Sequence, residues 1–343
     1  MNSCLLDART ALLMRHLLLA AALLTGCASP EVVPPSQLDR EPMLASDHAV
    51  MSDSYRLPLR RWASPGEPKA ILLGLHGFND YGHAFAPLAE ELRAADITTY
   101  AADQRGFGAT DKAGRWHGSE RLARDLRELV GLLQARHPKT PVYVAGESMG
   151  GAVAMLAAAD PPLEISGLIL IAPAVWSRDT MPWYQRLALQ TAVHTLPWLK
   201  LTGESVDISP TDNPELLRAM SADPLVIKET RVDALWGVTE LMDAAQRSGL
   251  ADRVPILLLY GEHDEIIPKK AFCRLIRRAP AAPSRLRLVL YTQGWHILPR
   301  DRQGERVRRD ILAWLSDPSA PLPSGEEAGA QGERIQRLCR SRG

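Results

Sequence analysis

The chain carries no net charge. Its 40 Lys and Arg residues balance 40 Asp and Glu residues, which removes the electrostatic case for a nucleic-acid or other polyanion partner. The one dense basic cluster, Arg300, Arg302, Arg306, Arg308 and Arg309, is interleaved with Asp301, Glu305 and Asp310. It reads as the solvated face of a helix. Cysteine is scarce, with 4 in 343 residues. Neither the cysteines nor the histidines show metal-ligand spacing, so no metal and no cofactor is implied. There is no internal repeat. The apolar run at the N-terminus, Leu17 to Leu24, is too short to span a bilayer as a stable helix.

That run has the length of a signal-peptide core, and Arg15 stands before it as the charged flank requires. It ends in Leu24-Thr25-Gly26-Cys27, which resembles a bacterial lipobox. The resemblance implies a leader over residues 1–27, lipidation of Cys27, and a membrane-anchored protein of the bacterial cell envelope. Ala28 is not the aspartate that retains lipoproteins in the inner membrane, so the expected site is the outer membrane facing the periplasm. Met14 gives a more compact charged flank than Met1 and reads as the better start. Processing would leave Cys273 and Cys339 unlipidated. An oxidising compartment would let them pair, but two free thiols are the expectation.

Hydrophobic residues make up 46% of the chain and charged residues 23%, ordinary globular values. Residues 28–50 are proline-rich without apolar period and read as a flexible tether. Residues 317–343 are rich in Pro, Gly, Ser and charge and read as mostly disordered. Between them, the short apolar runs Ile71–Leu75, Val142–Ala145, Leu168–Ala172, Ile256–Tyr260 and Leu286–Tyr291 suit parallel strands covered on both faces. A helix is expected from Ser119, as its cap, to His137, with Leu122, Leu126, Leu129, Val130 and Leu133 on one stripe. The alternation predicts an α/β fold with a mostly parallel, doubly wound sheet. Its core comprises 51–174 and 248–316. The segment 175–247 breaks the rhythm, holds half of the 8 tryptophans, and reads as a mostly helical insertion.

Gly146-Glu147-Ser148-Met149-Gly150 follows a strand-like run and precedes the alanine-rich stretch Gly151–Ala159. This is the context of a G-x-S-x-G nucleophile elbow. A serine hydroxyl needs a base, and the base needs an orienting acid. Asp264 directly follows one expected strand and His296 another, in the chain order serine, acid, histidine. Both fall at the strand ends, on the same sheet edge as Ser148. Glu262 and Glu265 are nearby alternatives to Asp264. The expected oxyanion donors are the backbone N–H groups of Phe78, in the loop after Ile71–Leu75, and of Met149. His76 reads as a structural loop residue.

Taken together, His76-Gly77, Asp103-Gln104-Arg105-Gly106-Phe107-Gly108, Gly146-Glu147-Ser148-Met149-Gly150-Gly151, Ala172-Pro173-Ala174, Gly261-x-x-Asp264 and Gly294-x-His296 resemble the monoacylglycerol lipase/lysophospholipase group of the α/β-hydrolase superfamily, whose relatives include serine aminopeptidase-type enzymes. The resemblance runs from about Tyr55 to Leu315. It implies an α/β-hydrolase fold with a helical cap at 175–247 that shapes an acyl pocket. Trp176 and Trp183 are the candidate substrate contacts, because aromatic walls offer large apolar area with few rotamers to freeze. Phe78-Asn79-Asp80-Tyr81-Gly82 departs from the Gly-Glu-His loop of many monoacylglycerol lipases.

The leading expectation is a serine hydrolase of carboxylic esters, acting on single-chain lipid esters such as a monoacylglycerol or lysophospholipid. A short-chain esterase is an alternative. So is an aminopeptidase-like enzyme, which needs a cap acid such as Glu204, Asp207, Glu215 or Glu240 to hold the substrate amine. A non-catalytic binding lipoprotein is the remaining reading.

Overall fold

Apolar residues at alternate positions along buried strands fill both sides of one sheet, and this pattern organises the molecule. A computed structural model describes residues 28–202, 208–279, 285–329 and 332–340. The expected leader, with its lipobox-like end and Cys27, lies outside the described residues. In chain order the elements are β1 (Met43–Leu44), β2 (His48–Val50), β3 (Arg56–Trp62), β4 (Ala70–Leu75), α1 (Ala86–Ala94), β5 (Ile97–Ala102), α2 (Ser119–Arg136), β6 (Val142–Glu147), α3 (Met149–Ala159) and β7 (Gly167–Ile171). There follow α4 (Trp183–Thr195), β8 (Lys200–Thr202), α5 (Pro214–Ala222), β9 (Glu229–Arg231), α6 (Val232–Ser248), β10 (Ile256–Gly261), α7 (Lys269–Arg277), β11 (Leu286–Tyr291), α8 (Gly304–Ser316), β12 (Glu327–Ala328) and α9 (Glu333–Arg340).

The main sheet has the order β1-β2-β3-β5-β4-β6-β7-β10-β11-β12. From β5 to β11 every neighbouring pair is parallel. The outer strands on both sides run antiparallel. Ile71, Leu73, Leu258 and Tyr260 point into one core layer with α2, α3, α6 and α7. Leu72, Leu257 and Leu259 point into the other with α1 and α8. This is the doubly wound α/β-hydrolase fold expected from the runs.

Several boundaries differ from the sequence reading. The stretch 28–50 is only partly a tether, because β1 and β2 within it extend the sheet through β3, and Val33 N–H bonds Trp116 O at 2.8 Å. The insertion contains a two-stranded ribbon of β8 and β9, and its last helix, α6, packs on α3 as part of the core. Ser119 does not cap α2. Gly118 holds that position at φ 90° with no side-chain cap, a left-handed conformation open to glycine.

The tail is the largest correction. Residues 317–343 are not mostly disordered among those described: β12 pairs with β11, and Leu322, Ala328, Ile335 and Leu338 are buried. Cys273 of α7 and Cys339 of α9 form a disulfide with Cα atoms 5.6 Å apart, not the two free thiols expected. Few large apolar residues anchor this tail, and the covalent link supplies what its small core does not. The bond joins residues 66 apart in sequence, a long loop whose closure restricts the unfolded chain. Cys339→Ser is expected to lower the unfolding free energy by about 2–4 kcal/mol, read by urea unfolding under non-reducing conditions. The loss of amide-exchange protection should begin in α9.

Candidate active site

The site is built at the C-terminal ends of the parallel strands. Strand β6 ends at Glu147 and α3 begins at Met149, so the turn is Ser148 alone, at φ 50° and ψ −112°. A non-glycine residue rarely occupies this left-handed region, and such strain persists only where the surroundings over-determine it. Here they do. Ser148 N–H bonds Ile171 O at 2.9 Å, and Ser148 O accepts from Ala174 N–H at 2.9 Å. The two flanking glycines permit close approach. A Cβ on Gly146 would lie 2.4 Å from Gly150 O, and a Cβ on Gly150 would lie 2.1 Å from Leu75 O.

Asp264 follows β10, and its side chain is fully buried. Its Oδ1 accepts from the backbone N–H groups of Ile266 and Ile267, both at 2.8 Å. That fixes the carboxylate and leaves Oδ2 to accept from His296 Nδ1 at 2.8 Å. With Nδ1 donating, Nε2 is the acceptor, and it lies 2.9 Å from Ser148 Oγ. The backbone N–H groups of His296 and Ile297 both bond Pro210 O at 3.1 Å, so the cap side holds this loop. The three expected residues therefore form one hydrogen-bonded chain. Glu262 and Glu265 are outside it: Glu262 pairs with Arg334 and Glu265 accepts from Ser209 N–H.

Burial alone would push the His296 pKa down. The charge and hydrogen bond of Asp264, with Glu147 and Asp301 behind them, reverse this and hold it above the ordinary histidine value. The ring is thus poised to take a proton and be stabilised as imidazolium. Asp301 itself is pushed up to about 6, first by burial.

The loop after β4 sits beside the elbow. A Cβ on Gly77 would be 3.5 Å from Ser148 Cβ, and Gly150 N–H bonds His76 O at 3.1 Å. Among the described residues, no hydrogen bond uses the backbone N–H of Phe78 or of Met149. Both amides are thus left without an internal acceptor, which is what a backbone donor reserved for a transient oxyanion requires. His76 is the scaffold residue expected. Its Nε2 accepts from Gln104 N–H at 2.9 Å, and burial holds its pKa down.

Of the two candidate substrate contacts, Trp176 is half-buried against the main core, in the segment that leaves β7 beside Ser148. Trp183 is not brought to the site. It is 71% exposed on α4, a helix that packs on α6, and its ring lies edge-on to Tyr184. Nothing in its residue type distinguishes an inward tryptophan from an outward one.

Sequence reading missed the charge cluster beneath the elbow. Arg300 is not on a solvated helix face. It is buried after His296, and its Nη2 donates to Asp80 Oδ2 at 2.7 Å and to Glu147 Oε1 at 2.9 Å. One guanidinium thus ties the loop after β4, the elbow and the loop of His296 together. Asp301, its neighbour, accepts from Trp295 N–H at 2.8 Å and from Thr211 Oγ1 at 2.6 Å. A lone arginine in a mixed-charge run carries no signal of this; only the tertiary fold supplies its partners.

The profile of the family "Serine aminopeptidase, S33" matches residues 66–303. The chain belongs to this family. The S33 chain is 28% identical over 283 residues to a monoglyceride lipase of Rattus norvegicus, covering 78% of this chain and 89% of the rat protein. It is 27% identical over 259 residues to a monoacylglycerol lipase of Mycolicibacterium smegmatis, covering 74% and 90%. The fold superposes on a crystal structure of Paleococcus ferrophilus monoacylglycerol lipase with a TM-score of 0.63 at 22% identity, covering 77% of this chain and 99% of that one. A soluble variant of Saccharomyces cerevisiae monoglyceride lipase in complex with a substrate analog gives 0.66 at 19%, covering 85% and 99%. This S33 member is an enzyme, a carboxylic-ester hydrolase.

Removing Arg300 would strand two buried carboxylates. Arg300→Met is therefore expected to destabilise the fold by about 3–5 kcal/mol, measured by urea unfolding. A loss below about 1 kcal/mol would mean that Glu147 and Asp80 do not depend on it.

Proposed function

We propose that this hydrolase cleaves single-chain lipid esters, such as a monoacylglycerol or lysophospholipid, through Ser148, His296 and Asp264. The observation that carries the reading is the 2.9 Å approach of Ser148 Oγ to His296 Nε2 on a strained elbow. In the reaction, Ser148 Oγ attacks the ester carbonyl carbon while its proton passes to His296 Nε2. Asp264 keeps Nδ1 protonated and stabilises the imidazolium. The carbonyl oxygen becomes an oxyanion facing the Phe78 and Met149 amides. Its collapse expels the alcohol, which takes the proton from His296, and leaves an acyl-Ser148 ester. Water, deprotonated by the same histidine, then releases the acid and restores the serine.

The lipid substrate class rests on the named activities of the rat and mycobacterial relatives. Of the cap acids that the aminopeptidase alternative needs, Glu215 and Glu240 are exposed, and Glu204 and Asp207 lie outside the described residues. The cell-envelope location and the lipidation of Cys27 remain part of this proposal and rest on the leader sequence alone.

Ser148→Ala is expected to reduce ester hydrolysis by roughly 10⁴-fold or more with an unchanged unfolding midpoint, and to abolish labelling by a fluorophosphonate probe. A tenth of the wild-type rate in that variant would move the nucleophile elsewhere. For the substrate class, each buried methylene is worth about 0.8 kcal/mol, close to fourfold in affinity. The kcat/KM for p-nitrophenyl esters below their micelle concentrations should rise steeply from acetate to octanoate. A maximum at acetate would replace the lipid reading with a short-chain esterase and leave the Ser148 reading intact.

A further inference from the structure

Helix α5 takes no part in the hydrophobic core. None of its 9 residues is buried, and none belongs to an apolar cluster among the described residues. A helix this short is marginal in water on its own, so its ends must carry it. At the first end Pro214 opens the helix and Asn213 caps it, with Oδ1 accepting from Glu215 and Leu216 N–H, each at 3.2 Å. The same side chain also grips the loop of His296, since its Nδ2 donates to Arg300 O at 3.0 Å. The residues before it do likewise. Pro210 O accepts from His296 and Ile297 N–H, and Thr211 Oγ1 donates to Asp301, which accepts from Trp295 N–H. The three consecutive amides of Trp295, His296 and Ile297 are thereby spent on Asp301 and Pro210. Ser209 N–H donates to Glu265 Oε2 at 2.7 Å, beside Asp264.

Past the other end of α5, the chain grips the loop after β4. Tyr81 Oη donates to Asp223 Oδ2 at 2.6 Å. Ile227 N–H donates to Asn79 O at 2.9 Å, and Asn79 Nδ2 donates to Thr230 Oγ1 at 2.6 Å. Burial, and then the Asp223 bond, pushes the Tyr81 ionisation up to about 12, so the hydroxyl keeps its proton to donate. Asn79 directly follows Phe78 and has φ 65°, a left-handed conformation that asparagine accepts more readily than most residues. Asn79 and Tyr81 belong to the stretch that departs from the Gly-Glu-His loop of many monoacylglycerol lipases.

We propose that residues 209–230 of the cap are a positioning clasp: one end fixes the loop of His296, the other fixes the loop of Phe78, and α5 is the spacer between them. The inference rests on the Ser148 and His296 reading above. The reaction needs His296 Nε2 and the Phe78 amide at set places around Ser148, and an error of about 1 Å can cost about 100-fold in rate. Arg300 joins the same two loops on the core side. The arm joins them on the cap side, with α5 giving a rigid span of about 13 Å. Thr211, Asn213, Asn79, Tyr81 and Asp223 are then positioning residues, which act through the backbone of the two loops and do not touch the ester. On this view the cap sets the rate of the chemistry as well as the shape of the pocket.

The test uses the full chain and p-nitrophenyl butyrate, a small soluble ester. Thr211→Val and Tyr81→Phe each delete one hydroxyl, one at either end of the arm. Each is expected to lower kcat about tenfold and to leave KM within about twofold of wild type. Thr211→Ser, which keeps the hydroxyl, and Asp223→Asn, which still accepts from Tyr81, should both return kcat to within about twofold. Asn213→Asp keeps the helix cap and deletes the bond to Arg300 O, so it probes the first end without unfolding α5, and its kcat should fall as well. The decisive variant combines Thr211→Val with Tyr81→Phe. Ends that work through one spacer are released together, so the double variant should lose little more than either single one, about tenfold in all. A product of the two losses, about 100-fold, would give each end a local role only and overturn the clasp. A raised KM with unchanged kcat would make the arm a matter of substrate entry and overturn it too, as would wild-type rates in both single variants. A fluorophosphonate probe separates these results from failure of the site itself. Wild-type enzyme labelled at a serine other than Ser148 overturns the site and the clasp with it, whereas labelling at Ser148 beside unaffected variants overturns the clasp alone.

Discussion

Gly150 passes so close to Leu75 that a single methyl group would collide with its carbonyl oxygen. Much of the site depends on that contact. It brings the start of α3 against the end of β4, which places the His76–Phe78 loop beside Ser148. It also lets Gly150 N–H bond His76 O, so the elbow and the His76–Phe78 loop are joined directly. The strained Ser148 backbone is held by neighbours on β7 and in the following loop, not by its own preferences. A larger residue at 150 would push the elbow off β4, and one at 146 would push the start of α3 off the end of β6.

Charge is handled the same way, by joining loops that are distant in sequence. Arg105, only 1% exposed in its side chain, is gripped by Asp53 and Asp125, while Arg121 binds Asp125 and Glu128. Glu128 in turn accepts from Ser52. This cluster fastens the N-terminal strands to α2 and to the loop after β5. Arg300 does the equivalent between Asp80 and Glu147. Buried ion pairs of this kind contribute little net stability over an apolar core, because desolvation offsets the attraction. Their consequence is geometric: Arg105 and Arg300 each fix two carboxylates from different segments in one arrangement.

The site was legible because its residues are marked by local context. Ser148 and Asp264 each follow a continuous apolar run and His296 follows one broken only by Arg287, as parallel strands buried on both faces tend to read. Strands without that composition were missed. Thr98 and Thr99 interrupt β5, although both are buried within it. In β3 the alternation of Leu57 and Leu59 with Pro58 and Arg60 marks an antiparallel outer strand, a pattern easily lost in a short segment. Arg300 shows the same limit at the site, since its partners are 220 and 153 residues away. The C-terminal segment was misread because its composition is that of a disordered tail. What orders it is a cross-link and a few buried side chains, neither of which has a local periodicity.

That ordered tail reaches the same edge of the sheet as the site. Arg334 donates to Leu290 O at 2.8 Å and to Glu262 Oε1 at 3.0 Å, so one side chain braces β11 and the turn after β10. Glu326 accepts from both the N–H and the hydroxyl of Thr292, three residues after the Val289–Glu327 pairing of β11 with β12. These are the two turns that carry Asp264 and His296. The 2.8 Å contact between those residues requires the turns to keep their spacing. The parallel pairing of β10 and β11 sets that spacing only as far as Gly261 and Tyr291. Beyond the last ladder bond, the tail continues the bracing on the solvent side, as Arg300 and Asp301 do from within. The disulfide between α7 and α9 therefore acts on more than the stability of a terminal helix: it keeps a strap in place across the acid and base loops.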